Sequence, residues 1–504
     1  MTNKNIIWQS KSVFLLLFLA IYSAAGPLES QQKKSNIFDG IQGVQGELNL
    51  ESSQVNYQWK SSPAIAIDAE SSGFAFRQFE ANFIFSVELR VQPQTGRRIH
   101  FGVEINSVSG EALTAKTKFD TQGNLVVEFK QGQQRQTIAL VAVKNPNVFQ
   151  IERKDNELIF SAARFGNPWQ IIARYAIAPK QVLAVGVYRQ FQPADASVLE
   201  LRNLRWVIPA WPGFVPYYDY LGSRLELLDV DTGTREIIYE TSAGIEAPNW
   251  MMDGDNIIYN SSGRIYKLHL PTKKIAFIDT GFGLKNNNDH IISFNGKWLG
   301  ISHHAKKYGG ASIIYKLPMS GGEALQLTFK APSYLHGWSP DGQHILYTGK
   351  RDGRFSIYRT TTDGAGEETQ LTTTSDLDDG PEYSPDGKTI YFNSSRSGVM
   401  QLWRMDADGK NPRQITHDQF NNWFPHISPD GKTIIFLSYM PDVGAKLHPY
   451  YRQVYLRTMP VAGGEPKVVA YLYGGQGTIN VPSWSPDGKR VAFVSNSVTL
   501  SEKP

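Results

Sequence analysis

The sequence contains no cysteine among its 504 residues. This absence excludes disulfide bonds, thiolate metal sites and a lipid-modified cysteine behind a cleaved leader. An excess of charge of one sign is also missing, because 51 Lys and Arg stand against 47 Asp and Glu and leave a net charge of +4. A nucleic-acid partner requires basic residues gathered on one face. The balance over the whole chain therefore predicts no nucleic-acid binding.

The sequence has one long hydrophobic run, which lies at the N-terminus. The run 13–21 (VFLLLFLAI) follows a polar, lysine-bearing start and precedes small residues. This pattern predicts a signal peptide over 1–25, cleaved near Ala25/Gly26, with an uncleaved anchor as the alternative. No second apolar run follows. We therefore expect a periplasmic or secreted protein whose mature chain has no transmembrane segment.

The sequence also has few stretches with the apolar spacing of an amphipathic helix. Its 44 glycines, 27 prolines and 12% aromatic residues favour an all-β fold rich in tight turns. The length exceeds what one core usually holds, so at least two domains are expected. After a polar linker over 26–36, short segments of alternating apolar and polar residues fill 37–209, for example 83–91 (FIFSVELRV). This period of two predicts a β-sandwich. The segment resembles a concanavalin- or laminin-G-like jelly roll, a fold that serves both as a glycan-binding module and as a spacer.

From 215 to 504 the chain repeats a unit built on a WSPDGK-type turn. The clear copies are HGWSPDGQHILYTG (336–349), PEYSPDGKTIYFNS (381–394), PHISPDGKTIIFLS (425–438) and PSWSPDGKRVAFVS (482–495), and weaker copies lie at 248–261 and 290–302. A period near 40–45 residues with four short strands is typical of propeller blades. Six copies predict a six-bladed β-propeller after the N-terminal jelly-roll β-sandwich.

The two ends of the repeat region complement each other. The last copy provides only its first two strands, while 224–240 carries an orphan third and fourth strand. Pairing of these ends would remove a free sheet edge. The repeats resemble the TolB-like six-bladed propellers, and 390–416 (IYFNSSRSGVMQLWRMDADGKNPRQIT) is similar to a whole repeat of that family. TolB itself carries a small α/β domain before its propeller, so the resemblance implies the fold more than the function.

Polar residues crowd the segments just before the turns. In a propeller these segments converge on one mouth of the central channel, and we expect a binding set there: Asn287, Asp289, Asp378, Glu382, Asn421, Asn422, Trp423, Gln476 and Asn480. Amides and carboxylates recognise hydroxyl-rich sugars, and Trp423 could stack on a sugar ring. The first hypothesis is therefore an exported binding protein for a glycan or an envelope protein. The alternative is that these Asn and Gly residues only form turns.

Histidines at the same mouth support a second hypothesis. No cofactor is required by the pattern, but His290, His336 and His426 with Glu382 and Gln476 suit a divalent ion such as Mn²⁺, Zn²⁺ or Ca²⁺. Equally, the histidines could only hydrogen-bond loop carbonyls. A resemblance to oligogalacturonate lyases implies a metal-dependent polysaccharide lyase or glycoside-cleaving enzyme, with Asp379 or a histidine such as His426 as the base.

Two further segments stand out. The insertion 440–452 (MPDVGAKLHPYYR) lengthens one repeat, and it is long enough to cap the channel or to contact a partner. The run SHHAKKYGG holds the adjacent pair His303 and His304, which is more typical of a solvated loop than of a ligand set.

Overall fold

The structure, a computed structural model, describes residues 44–45, 64–67, 73–92, 100–108, 112–119, 125–139, 143, 145–190, 198–216 and 219–498. The predicted signal peptide over 1–25 and the linker over 26–36 lie outside these residues. Within them the chain forms strands and one 3₁₀ turn, Lys306–Tyr308, so the predicted all-β class is confirmed. No helix in these ranges is both long and apolar enough to cross a membrane.

The described residues before 208 form thirteen strands. They are β1 (Val44–Gln45), β2 (Ala64–Ile67), β3 (Gly73–Phe79), β4 (Phe83–Gln92), β5 (His100–Ser107), β6 (Leu113–Phe119), β7 (Leu125–Gln131), β8 (Gln134–Ala139), β9 (Val148–Lys154), β10 (Glu157–Ala163), β11 (Gln170–Ala176), β12 (Leu183–Gln190) and β13 (Val198–Val207). They form a seven-stranded sheet in the order β1-β3-β12-β5-β6-β7-β8 and a six-stranded sheet in the order β11-β10-β9-β4-β13-β2.

These two sheets contact each other through their apolar faces. Phe83, Phe85 and Val87 alternate along β4 and all three are buried, as a period of two predicts. The Trp206 indole of the six-stranded sheet donates a hydrogen bond to the Val185 carbonyl of the seven-stranded sheet at 3.3 Å. The sheets therefore share a core.

The remaining strands form six further sheets. They are β14 (Gly222–Asp229), β15 (Arg235–Thr241), β16 (Glu246–Trp250), β17 (Asn256–Ser261), β18 (Arg264–His269), β19 (Ile275–Phe277), β20 (Asn286–Ile292), β21 (Trp298–His304), β22 (Ser312–Pro318), β23 (Leu325–Gln326), β24 (Ser333–Trp338), β25 (His344–Arg351), β26 (Arg354–Thr361), β27 (Glu368–Gln370), β28 (Asp378–Tyr383), β29 (Thr389–Ser394), β30 (Gln401–Asp406), β31 (Arg413–Gln414), β32 (Asn421–Ile427), β33 (Thr433–Tyr439), β34 (Arg452–Pro460), β35 (Lys467–Gly474) and β36 (Arg490–Ser497).

Five of these sheets are four-stranded antiparallel meanders in chain order, starting with β16, β20, β24, β28 and β32. The sixth has the order β15-β14-β36, so the two ends of the repeat region pair as the sequence predicted. An isolated bridge between Trp484 and Val491 extends it by one position.

The first strands of successive sheets lie against each other, and hydrogen bonds join them. The Ile292 amide donates to Asn249 of the preceding sheet at 2.9 Å, and the Trp338 indole donates to the Ile291 carbonyl at 3.1 Å. At the other end of the series, β36 contacts β16. This arrangement brings the segments before the repeated turns together.

The repeated turn closes by the same hydrogen bonds in each clear copy. In the third, Ser428 Oγ donates to Asp430 Oδ1 at 2.6 Å and accepts from the Thr433 amide at 2.9 Å. Gly431 has φ 72°, a region that favours glycine. The SPDG motif is therefore conserved between repeats because each residue supplies a bond or an angle that the turn requires.

The N-terminal sheets and the later sheets belong to one compact unit. The Trp169 amide donates to the Tyr455 hydroxyl at 2.9 Å, and the Tyr471 hydroxyl donates to the Asn167 carbonyl at 2.6 Å. Gly166 also forms a β-bridge with Val468. Tyr455 and Tyr471 thus join the N-terminal sheets to the later ones.

Candidate functional site

Four ionisable side chains from the first strands of four successive sheets influence one another. They are Glu246 on β16, Asp289 on β20, His336 on β24 and Asp379 on β28. We call these four residues, together with His448 and Gln476, the carboxylate–histidine cluster. Asp289, His336 and Asp379 are all less than a tenth exposed.

His336 and Asp379 form the central pair of the cluster. His336 Nε2 lies 3.2 Å from Asp379 Oδ1, which also accepts a hydrogen bond from Thr348 Oγ1 at 2.6 Å. Burial acts to raise the pKa of Asp379, but the hydrogen bond and charge of His336 overcome it and hold the pKa at about 2. Burial acts to lower the pKa of His336. The hydrogen bond to Asp379 and the negative charges of Asp289 and Asp379 outweigh burial, so the pKa of His336 lies above its ordinary value. The pair therefore favours an ionised carboxylate beside a protonated imidazole.

The other two carboxyl groups are shifted in the opposite direction. Burial raises the pKa of Asp289 to about 6, and the nearby charge of Asp379 adds to this rise. Burial also raises the pKa of Glu246 to about 7, although its hydrogen bond from the Tyr450 hydroxyl at 2.9 Å opposes the rise. The cluster thus contains Asp379, which stays ionised, and Glu246, whose pKa lies near neutral pH, and such separated pKa values are typical of acid–base sites.

The insertion 440–452 reaches this cluster. It supplies Tyr450 to Glu246, and it supplies His448, whose Nδ1 hydrogen-bonds Gln476 Oε1. The His448 ring lies 4.5 Å from the Trp423 ring, and burial lowers its pKa, which favours the neutral imidazole. The insertion therefore contributes His448 and Tyr450 to the cluster. Whether it caps a channel or contacts a partner stays a prediction.

Glu246, His448 and Tyr450 were not among the residues predicted from the sequence. A signal for Glu246 existed, because Glu246 and Asp379 both stand five residues before the serine position of their repeat, 251 and 384 respectively. No such signal existed for His448 and Tyr450, since the insertion has no counterpart in the other repeats.

Asn287 and Asn480 join the cluster as predicted binding residues. The half-buried Asn287 donates from Nδ2 to Asp289 Oδ2 at 2.9 Å. Asn480 accepts the Gly477 amide at 2.8 Å, and its backbone hydrogen-bonds His336. Both residues thus orient ionisable members of the cluster.

His426 and Glu382 form a separate buried pair. His426 Nδ1 lies 2.7 Å from Glu382 Oε2, and His426 Nε2 lies 2.6 Å from the Ile479 carbonyl. The other Glu382 oxygen accepts the Ile427 amide at 3.0 Å. Both nitrogens of His426 are therefore already bonded to protein oxygens, so its local role is to hold adjacent first strands together.

Three other predicted binding residues are occupied by protein partners. Asp378 pairs with Arg396 at 2.8 Å, Asn421 donates to the Val443 carbonyl at 2.8 Å, and Asn422 accepts from Ser438 Oγ at 2.8 Å. All three are almost completely buried. Their side chains thus stabilise β28 and β32.

Trp423 requires a correction. Its side chain is 0% exposed and lies in the core formed by β32 to β36. The expected stacking on a sugar needs an open ring face, which Trp423 does not present. Its buried indole nitrogen has no hydrogen-bond partner within the described residues.

The predicted metal ligands are divided among several contacts. Gln476 bonds His448, His336 bonds Asp379, and His426 bonds Glu382. His290 is completely buried, neither of its ring nitrogens has a partner in the described part of the chain, and burial lowers its pKa to about 3. In that part of the chain no three His, Asp or Glu residues are arranged to hold a metal ion. Metal binding stays a prediction.

His303 and His304 hydrogen-bond nearby backbone groups. His303 Nδ1 accepts the Lys285 amide at 3.4 Å, and His304 Nδ1 lies 3.0 Å from the Gly310 carbonyl. Each imidazole therefore has a local backbone partner.

Comparison with known proteins agrees with the sheet topology. Residues 336–443 match the TolB beta propeller domain model. A protein of Agrobacterium fabrum of undescribed function is 44% identical over 277 residues, which span 54% of this chain and 92% of that protein. A solved Agrobacterium tumefaciens structure assigned as a TolB is 42% identical, with a TM-score of 0.53, and the match covers 56% of this chain and 100% of that one. The chain therefore belongs to the TolB-like β-propeller proteins.

Proposed function

We propose that this protein is an exported, TolB-like binding protein that recognises a glycan or a cell-envelope partner at the carboxylate–histidine cluster. In this proposal the six later sheets form a closed six-bladed propeller, and the two earlier sheets form a jelly-roll sandwich. The contacts between successive first strands and the pairing of β14 with β36 support the ring. The leader predicted over 1–25 supports a periplasmic or secreted location.

The observation that carries the proposal is the concentration of ionisable groups inside the fold. Burying a carboxyl group costs free energy unless it is paired, and Asp289 and Glu246 are incompletely compensated, as their raised pKa values show. Strongly shifted groups of this kind are concentrated at functional sites. Contacts that only held six sheets together would be more stable with apolar side chains.

The chemistry of the accessible rim favours a ligand rich in hydroxyl groups. Asn287, Gln476, Tyr450 and Glu246 are only partly buried, and together they offer amide, hydroxyl and carboxyl groups. Such groups can donate to and accept from the same hydroxyl. With Trp423 buried, Tyr450 is the aromatic side chain of this rim.

The test is a binding screen with matched variants. Immobilised protein is screened against envelope polysaccharide fragments and envelope extracts, and the dissociation constant of each hit is measured by calorimetry. Asp289→Asn and Gln476→Ala are expected to weaken binding by at least about tenfold, the loss of one or two well-formed hydrogen bonds. Asp442→Asn is the control, because Asp442 is an exposed carboxylate on the same insertion. Equal affinity of all three variants and the wild type would contradict the proposal.

A second candidate function is a metal-dependent polysaccharide lyase or glycoside-cleaving enzyme at the same cluster. The separated pKa values favour it, since Asp379 is ready to accept a proton while Asp289 and Glu246 can hold one. We expect stoichiometric divalent metal in the purified protein, lost in His336→Ala, and polysaccharide cleavage abolished in Asp379→Asn. Metal-free protein would end the metal-dependent form, and cleavage unaffected by Asp379→Asn would end the catalytic assignment.

A further inference from the structure

The loop between β19 and β20 exposes two large apolar side chains. Phe282 is 55% and Leu284 is 42% exposed. The Phe282 ring still contacts the rings of His303 and Tyr315, at 5.6 and 5.0 Å between centroids. The loop is therefore anchored on β21 and β22 while its apolar tip faces solvent.

Exposed cations surround this tip. Lys285 follows it directly, and its carbonyl accepts the His304 amide at 2.9 Å. Lys306 and Lys307 come two and three residues after His304 and are exposed as well. Within the described residues none of these three lysines forms an ion pair with a carboxylate, and the Lys307 ammonium lies 5.5 Å from the centre of the Tyr308 ring. We call Phe282, Leu284, Lys285, His304, Lys306 and Lys307 the basic loop surface.

The segment that contains this surface is rich in positive charge. Residues 264–330 contain ten Lys or Arg and three Asp or Glu, a net charge of +7. Since the whole chain carries +4, the other residues sum to −3. Between 281 and 322 the one acidic residue is Asp289, which is buried. The segment around the basic loop surface is therefore positively charged, while the rest of the chain is slightly acidic.

We propose that the basic loop surface docks on an anionic lipid bilayer. Apolar side chains at a loop tip can enter the interface between headgroups and acyl chains, and adjacent lysines are attracted to negatively charged headgroups. The two signals together give stable but reversible attachment. A glycan is a poorer fit, because Phe282 and Leu284 provide no hydrogen-bonding groups for its hydroxyls.

This docking would orient the carboxylate–histidine cluster. Lys285 immediately precedes β20, which carries Asn287 and Asp289. The basic loop surface and this part of the cluster therefore lie at the same end of β20. A bilayer-docked protein would present the cluster toward partners close to the membrane surface.

The test is co-sedimentation of the exported form, starting at Gly26, with vesicles. We expect binding to vesicles containing phosphatidylglycerol, weaker binding at high salt, and little binding to phosphatidylcholine vesicles. Lys306→Glu/Lys307→Glu should lower the partition coefficient by at least about twentyfold, since each basic residue contributes roughly fivefold. Phe282→Ser/Leu284→Ser should lower it by about tenfold or more. The leader predicted over 1–25 is absent from every protein tested, because its apolar run would itself bind vesicles of either composition.

Lys273→Glu/Lys274→Glu is the matched control. Lys273 and Lys274 lie after the last residue of β18. The opposite end of this strand is the one near the basic loop surface, because Gly263, just before β18, packs on the Leu284 backbone. The partition coefficient of the control should stay within about twofold of the wild type, because the pair is distant from the docked surface. Equal binding to both vesicle types, or an equal loss in the control, would overturn the proposal. Thermal unfolding of each variant checks that the fold is retained, and retention of an acidic polysaccharide without vesicle binding would reassign the surface.

Discussion

At the residue scale, the cluster combines groups whose contributions to stability are lost at opposite ends of the pH range. Asp379 has a depressed pKa, so its contribution to stability is present above its ordinary pKa and is lost as the pH falls toward about 2. His336 has a raised pKa, so its contribution is present below its ordinary value and is lost as the pH rises through the raised one. The pair is therefore most stabilising in mildly acidic solution.

Asp289 provides a test of this electrostatic description. Its raised pKa means that the folded state favours the protonated carboxyl, so stability is lost as the pH rises from 3.8 to about 6. Asp289→Asn removes this penalty. The variant should gain about 2–3 kcal/mol in unfolding free energy relative to the wild type at about pH 8, and much less at about pH 4. Denaturant unfolding at both pH values measures the difference, and an equal change at both would refute it.

At the element scale, the repeated turn shows how far the sequence pattern reaches. Its Ser, Asp and Gly act within six residues of one another, so the motif predicted the turns that the structure contains. The segments before the turns were less predictable. Ala247 and Phe424 have φ of 53° and 55°, and β16 and β32 shift register there. These bulges interrupt the alternation of faces, so the sequence pattern does not show on which side of a first strand each polar residue lies.

Ser428→Ala should show the energetic value of this turn. The substitution removes the donor to Asp430 and the acceptor for the Thr433 amide. We expect a loss of about 1–2 kcal/mol in unfolding free energy. Because the two residues share one hydrogen bond, Ser428→Ala/Asp430→Ala should cost less than the sum of the single changes. Strict additivity would show that the bond contributes nothing, and the exposed Ser320→Ala serves as the control.

At the scale of the whole molecule, a buried ion triad joins the N-terminal sheets to the later ones. Arg205 of β13 and Arg235 of β15 both donate to Glu226 of β14, at 2.7 and 2.8 Å. Burial acts to raise the pKa of Glu226, but the two guanidinium groups hold it at about 2. The triad therefore links both groups of sheets through one carboxylate.

Glu226→Gln should be strongly destabilising at neutral pH. It leaves two buried guanidinium groups without their counter-charge, and we expect a loss of about 3–5 kcal/mol. Glu240→Gln is the matched control, since the Glu240–Arg224 pair is more exposed and should cost less than about 1 kcal/mol. The difference should shrink as the pH falls toward the low pKa of Glu226, and equal losses in the two variants would contradict the role of the triad.

The sequence by itself determined the all-β class, the repeated turns and the pairing of β14 with β36. The turns depend on hydrogen bonds between residues close in the chain, and the strands are already marked by the alternation of apolar and polar residues. The sequence also placed Asp289, His336 and Asp379 before their turns, which is where the cluster forms. Tertiary structure alone decided which polar residues meet. Asp378, Glu382 and Asn422 are bound by neighbouring side chains or backbone, whereas Glu246 and the inserted His448 and Tyr450 join the cluster. The physical reason is that these contacts span strands distant in the chain, and their geometry depends on bulges and on an insertion that no repeat pattern encodes.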